Sequence, residues 1–388
     1  MDFLYVIFIA IIALIAIIYQ LLVALIAPML GLFLFFDITG IGIEYVVLLI
    51  CSLVLCYLAT KIVRVVAMKF HIVDTPDAVR KLHTKSTPLL GGVAIFCAFI
   101  TTLFLYFFFA PPNWHSLIDS HVTISTLIGI SVGALILCVG GIIDDCFSLP
   151  PHSQIVWPIA AALALIFFGV HVPFIRNPFS GDIYNLSLIP SSLITFFWVL
   201  GIIYTTKILD GLDGLVTGIT GIGAGVIALI SFFVFVNVPT GMIALIVLGC
   251  CLGFLPWNSY PAKIFLGEAG STLCGYFLAV LALISGAKFA SGLLILAIPL
   301  LDLAWVIFQR VVYDKRIPFY GGDRRHLHFK LLELGLSHQK AVWLLYACSF
   351  AFGMTAVAFQ NITKMIALAG AVGIMILFII LTMKKRTS

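Results

Sequence analysis

Charge is what this chain has least of. Only 10% of its 388 residues are Asp, Glu, Lys or Arg, while 63% are apolar. No polar stretch is long enough to fold as a soluble domain, which excludes a nucleic-acid-binding module. Short segments of alternating apolar and polar residues are also missing, so a membrane β-barrel is excluded and the continuous apolar runs point to spanning helices. There is no C-x-x-C motif. The nine cysteines lie mostly inside apolar runs, Cys250 and Cys251 side by side, and they read as small core residues rather than as disulfides or metal ligands. The apolar stretch from Phe3 to Phe36 lacks a basic leader and an A-x-A-like cleavage site, which argues against a removed signal peptide.

What remains is a polytopic all-α protein. Eleven spans are expected: Tyr45 to Thr60, Leu89 to Phe109, Val122 to Ile143, Ile155 to Val170, Ile189 to Thr206, Val216 to Val236, Gly241 to Trp257, Ser271 to Gly286, Ala290 to Phe308, Ala341 to Phe359 and Met365 to Met383. Residues 1–42 form an extra hydrophobic segment, read as one kinked span with a two-helix hairpin as the alternative, and 43–388 form one domain. If the spans alternate, one side carries 18 of the 21 Lys and Arg, which makes that side cytoplasmic by the positive-inside rule. The chain's net charge of +5 suits an anionic lipid surface or a phosphorylated substrate.

The few acids are placed unevenly. Asp144, Asp145, Asp210, Asp213 and Glu268 all stand at span ends on the basic side. A carboxylate beside hydrocarbon is costly, and a solvated end-cap explains any one of them more easily than all five. Clustered oxygens at a bilayer face suit Mg²⁺, and Mg²⁺ suits a diphosphate. In Asp210-Gly-Leu-Asp213-Gly214 the two acids are spaced i, i+3, and the glycines let backbone approach a ligand.

These residues together carry a resemblance. Val73-Asp-Thr-Pro76 with Arg80, His83 and Pro88-Leu-Leu-Gly-Gly92, then Asp144-Asp145, the Asp210 loop, Asn258 to Ser271, and Asp323-Arg-Arg-His-Leu-His328 resemble, in order and spacing, the successive motifs of the polyprenyl-phosphate N-acetylhexosamine-1-phosphate transferases. The resemblance runs from about Tyr45 to the C-terminus. It implies a bacterial inner-membrane enzyme with a cytoplasmic site, in which undecaprenyl phosphate attacks a UDP-sugar to give a lipid-linked sugar diphosphate and UMP. It implies Mg²⁺, with Mn²⁺ as a substitute, and admits a homodimer.

The resemblance also implies roles. Glu268 and Asp145 would serve the metal, and Asp144 the lipid phosphate. Gly211, Leu212, Asp213, Asn258 and Phe265 would surround the nucleotide, with Phe265 stacking on uracil, and Asp144, Asp145, Asp210 and Asp213 would be the catalytic acids. Arg80, His83, Arg324, His326 and His328 would meet phosphates or sugar. The intramembrane Asp302 reads as support for the site. Two departures stand out: Glu268 replaces the family's Asp, and Lys207 stands where an Asn precedes the Asp210 loop, as a phosphate binder, a partner for Asp210 or a snorkelling cation. Tyr204 and Phe329 also depart from the pattern. The motif from Asp323 to His328 favours a UDP-GlcNAc-type donor, with a muramyl-pentapeptide donor as runner-up. A transporter predicts mid-span acids and inverted repeats, and neither is evident. An inactive lipid-binding relative would rest on Lys207 and Glu268.

Overall fold

The computed structural model describes residues 42–75, 86–112, 116–119, 122–176, 182–285, 297–312 and 326–358, with single residues at 293, 370 and 373. Apolar runs become helices because backbone facing hydrocarbon must satisfy its own N–H and C=O groups. In chain order the helices are α1 (Ile43–Lys69), α2 (Gly91–Phe109), α3 (Ile124–Phe147), the single turn α4 (Pro151–Gln154), α5 (Val156–Phe167), α6 (Leu188–Leu209), α7 (Leu215–Phe233), α8 (Val238–Asn258), α9 (Gly267–Ile284), α10 (Ala297–Val312), the short α11 (Leu327–Glu333) and α12 (His338–Ala358). Hydroxyls inside the spans are absorbed locally. Thr60, Thr102 and Ser131 each donate to the carbonyl four residues earlier, which satisfies these three donors within their own helices.

Among the described residues, eight helices are long and apolar enough to cross a membrane: α1, α2, α3, α6, α7, α8, α9 and α12. The protein is a polytopic helical membrane protein. Two of the eleven expected spans are shorter than a crossing within the described residues. The 12 residues of α5 rise about 18 Å at about 1.5 Å per residue, and α10 has 16 residues. The expected span from Met365 to Met383 and the N-terminal segment up to residue 41 lie outside the described residues.

Some spans run past their expected ends and others stop short, as at Phe167, Phe233 and Ile284. α1 runs on through Lys61 and Arg64 to Lys69, well past the expected end at Thr60, because Lys and Arg are good helix formers whose stems carry the charge outward. Asp144, Asp145, Lys207 and Glu268, expected in loops, sit in terminal turns of α3, α6 and α9. Two short antiparallel ribbons add to the helices. β1 (Val73–Asp74) pairs with β2 (Thr87–Pro88), and β3 (Phe174–Arg176) pairs with β4 (Ile183–Asn185).

At the centre is α9, which packs against α2, α3, α6, α7 and α8. Its Leu273, Tyr276, Phe277 and Leu281 are buried, and Tyr276 reaches across to donate to the Gly129 carbonyl of α3. Small residues admit this helix. A Cβ on Gly92 would overlap the backbone of Ala269 and Gly270, and one on Gly141 would overlap the backbone of Ala269. The N-terminal turn of α9, which carries Glu268, is thus wedged between the start of α2 and the end of α3. α1 lies against α2 and α8, while α12 covers α7. All nine cysteines are free, as expected for core residues.

Candidate active site

Two motifs far apart in sequence are joined by a backbone ladder. Phe265 N donates to Pro88 O (2.8 Å), Gly91 N to Phe265 O (3.0 Å) and Gly92 N to Leu266 O (2.9 Å). The Pro88 to Gly92 segment is therefore a brace for the extended stretch that presents Phe265. Directly after it, Gly267 has a φ of +70°, and a Cβ there would strike the Asp145 carboxylate. That position needs glycine for both reasons.

Asp145 meets the start of α9. Its Oδ1 accepts from Glu268 N at 2.8 Å, a carboxylate on the positive end of a helix, while Oδ2 is buried and has no hydrogen-bond partner among the described residues. Asp144 is tied elsewhere: its Oδ1 accepts from Leu149 N (2.8 Å) and from Gln154 Nε2 (3.0 Å). The other end of that amide, Gln154 Oε1, accepts from Lys207 Nζ at 2.7 Å, and the same ammonium stands 2.6 Å from Glu268 Oε1. Asp144, Gln154, Lys207, Glu268 and Asp145 therefore form one continuous polar chain across α3, α4, α6 and α9. Lys207 pairs with Glu268 rather than with Asp210, one of the partners its position suggested.

On the other side of Glu268, a cleft of about 330 Å³ is lined by the Asp210 to Asp213 loop, Asn258, Tyr260, Phe265, Phe329 and His338. Phe265 lines it as expected of a stacking residue. Asn258 lines it too, but its side chain braces the fold: Nδ2 donates to Ile264 O (3.1 Å) and Oδ1 accepts from Thr217 Oγ1 (2.7 Å). Leu212 is buried beneath the loop, and Asp213 Oδ2 accepts from Ala262 N at 2.9 Å. Gly211 lies so close to the His328 ring that a Cβ would overlap Nε2.

The histidines divide in role. His326 Nδ1 pairs with Asp302 Oδ2 at 3.0 Å while Asp302 Oδ1 accepts from Leu327 N at 2.8 Å, so Asp302 holds the entry to α11. His328 is fully buried, and neither ring nitrogen has a hydrogen-bond partner among the described residues. Burial pushes its pKa down to about 4, so it is neutral near pH 7. Arg80, His83 and Arg324, with Lys81, Lys85 and Asp323, lie outside the described residues.

Three functional positions had not been singled out from sequence. Gln154 links the acids. His338 Nε2 accepts from Asp213 N at 3.2 Å and stacks on Tyr260 at 4.3 Å between ring centroids, forming one wall of the cleft. Tyr346 of α12 donates its hydroxyl to the Gly214 carbonyl. None of these belongs to a charged or repeated pattern; for His338, the position at a span start was the one available signal.

Asp210 opens onto the cleft, yet the protein packed around it withholds bulk water. That desolvation first, then the negative charges of Glu268 and Asp213, push its carboxyl up to about 7 from an ordinary 3.8. The folded state therefore binds a proton that the unfolded chain gives up, and this contribution to stability is lost as pH rises from about 4 through about 7. Asp210→Asn is expected to raise the thermal midpoint in detergent more at pH 8 than at pH 5, and to leave it nearly unchanged only below about pH 4. Equal shifts at both pH values would contradict this account.

The arrangement is a cleft walled by glycine-rich backbone, aromatic rings and the acids Asp210 and Asp213, with the polar chain of Glu268, Lys207, Gln154 and Asp144 beginning one residue past its lining Gly267. The family model described as "Glycosyl transferase family 4" matches residues 127–286. A Bacillus subtilis protein described as a probable undecaprenyl-phosphate N-acetylglucosaminyl 1-phosphate transferase is 31% identical, over 84% of this chain and 88% of its own length. A Mycobacterium leprae decaprenyl-phosphate N-acetylglucosaminephosphotransferase is 29% identical over 79% of this chain and 82% of its own. A Staphylococcus haemolyticus phospho-N-acetylmuramoyl-pentapeptide-transferase is 30% identical over 65% of this chain and 80% of its own. The chain belongs to glycosyl transferase family 4. It is a membrane-embedded glycosyl-1-phosphate transferase.

Proposed function

We propose that the protein transfers N-acetylglucosamine-1-phosphate from UDP-GlcNAc to a polyprenyl phosphate such as undecaprenyl phosphate, releasing UMP. The observation that supports this most directly is the cleft lined by the Asp210 to Asp213 loop and by Phe265 to Gly267, directly before Glu268 in the chain. Backbone glycine and an aromatic face suit a nucleotide, and the acids lie where its diphosphate would reach. The lipid phosphate is already mostly ionised near neutral pH, so the residues around it need to orient it more than deprotonate it. Asp144, held by Leu149 N and Gln154, is the candidate for that orienting task. Phosphoryl transfer of this kind depends on positioning and on neutralising charge.

Mg²⁺ is the cation the donor set suits. Among the described residues no group of three or more His, Cys, Asp or Glu side chains forms a ready-made metal cage. Mg²⁺ does not require one, since one or two carboxylates with substrate phosphates and water complete its shell. The buried Oδ2 of Asp145, unpartnered among the described residues, and the Glu268 carboxylate are the oxygens that would hold it. When bound, it would offset charge on the diphosphate. The proposed setting is a bacterial inner membrane, with eleven spans from residue 43 onward and the cleft facing the cytoplasm, as the Lys and Arg bias suggests.

The test is UMP release by detergent-purified protein given undecaprenyl phosphate, Mg²⁺ and UDP-GlcNAc, alongside UDP-GalNAc and the muramyl-pentapeptide donor. UMP that depends on lipid, Mg²⁺ and UDP-GlcNAc is the expected result. Turnover of the peptide donor alone would overturn the choice of sugar, and turnover of none would overturn the activity.

A further inference from the structure

The two chemically sharpest departures from the resembled motifs touch each other. Lys207 and Glu268 are 61 positions apart, yet Lys207 Nζ stands 2.6 Å from Glu268 Oε1. A longer acid and a long cation meet where the pattern has a shorter acid and a neutral amide. We propose that Lys207 is a tethered counter-cation for Glu268, and that it sets how tightly the acid cluster takes a divalent cation. The inference rests on the reading above only for Glu268 belonging to the cation site.

The geometry supports competition rather than simple anchoring. A snorkelling lysine would point its ammonium outward, but this one is directed inward, between Gln154 Oε1 and Glu268 Oε1, with the Tyr204 ring 5.8 Å away. The side chains of Lys207 and Glu268 are only 21% and 17% exposed, so the pair is screened less than a surface bridge. Gln154 passes the arrangement on to Asp144, so the ammonium also fixes the amide that holds the second acid. One Glu268 oxygen is therefore taken by a cation the protein itself carries, and an incoming divalent ion must displace that ammonium or bind beside it.

The size of the effect follows from Coulomb's law. A unit charge about 5 Å from a divalent ion weakens its binding by about 10^5-fold at an effective permittivity of about 20 and by about tenfold at the permittivity of water, about 80; an ammonium that can swing aside in a partly solvated site places the expected effect at the lower end, about tenfold or more. Replacing Lys207 by the amide of the resembled pattern should therefore tighten cation binding. Simple damage to the fold would not do so.

The experiment is titration of Mn²⁺ into the full-length protein in detergent, with free Mn²⁺ read by electron paramagnetic resonance and no substrate present. Wild type, Lys207→Asn, Lys207→Arg and the double variant Lys207→Asn/Glu268→Asp would be compared. Lys207→Asn and the double variant are expected to bind about tenfold more tightly than wild type, and Lys207→Arg to stay within about twofold. Equal or weaker binding by Lys207→Asn, or no Mn²⁺ binding by any of the four proteins, would overturn the proposal. UMP release measured on the wild-type preparation separates the two readings. Tighter Mn²⁺ binding by the variant without UMP release would remove the transferase activity and leave the counter-cation standing; UMP release with unchanged binding would do the reverse.

Discussion

Glu268→Gln is expected to lower the rate of UMP release by about a thousandfold while leaving the protein folded. The substitution keeps the side chain's length and its place in the first turn of α9, so the Asp145 contact to the backbone N–H of residue 268 can persist. It removes the carboxylate that faces Lys207 and that is proposed to help hold the cation. Loss of one preorganised electrostatic contact typically costs a hundredfold to a thousandfold, and here the Lys207 ammonium is also left without its anionic partner. The comparison is kcat at saturating donor and lipid, with the thermal midpoint measured in the same detergent. A variant within tenfold of wild type would show that Glu268 is not central to the chemistry.

The largest expected effect on folding comes from Gly141→Val. A Cβ at this position would overlap the backbone N and Cα of Ala269, and a helix backbone cannot step aside as a flexible side chain can. Since α9 packs on five other helices, displacing its first turn disturbs both the centre of the bundle and the residues around Glu268. Overpacking of this sort costs about 3 kcal/mol or more where nothing can yield. The measurement is the recovery and thermal midpoint of monodisperse protein in detergent. Gly201→Val is the control, because a Cβ there meets nothing within 4 Å. Equal behaviour of the two variants would mean that α9 is not held as tightly as the packing indicates.

The helices were legible because hydrocarbon leaves the backbone no other solution, and the site was legible because acids are so scarce that five at span ends form a pattern. Where each helix stops was harder to read. Charge ends a hydropathy window, but it does not end a helix, so α1 continued through Lys61 and Arg64, and Lys207 proved to be helical. Partners were harder still. That Gln154 bridges Asp144 and Lys207, or that His338 accepts from Asp213, depends on contacts 53 and 125 positions apart, and a single neutral side chain gives no periodic signal of such a contact. Asn258 illustrates the reverse case. Its position in the motif suggested a substrate contact, while its amide braces Thr217 and Ile264.

The hold of α12 on the Asp210 loop bears on how the protein is made. The loop leaves the ribosome well before its fasteners do: His338 trails Asp213 by 125 residues, and Tyr346 trails Gly214 by 132. Helices threaded into the membrane one after another can pack early, since α6, α7, α8 and α9 are contiguous in the chain, but the Asp210 loop lacks these two fasteners until α12 is inserted. Completion of this end of the cleft is therefore a late event of biosynthesis, and a chain stalled before α12 would carry Asp210 and Asp213 on a loop held by the Asp213 contact to Ala262 N but not yet by His338 or Tyr346.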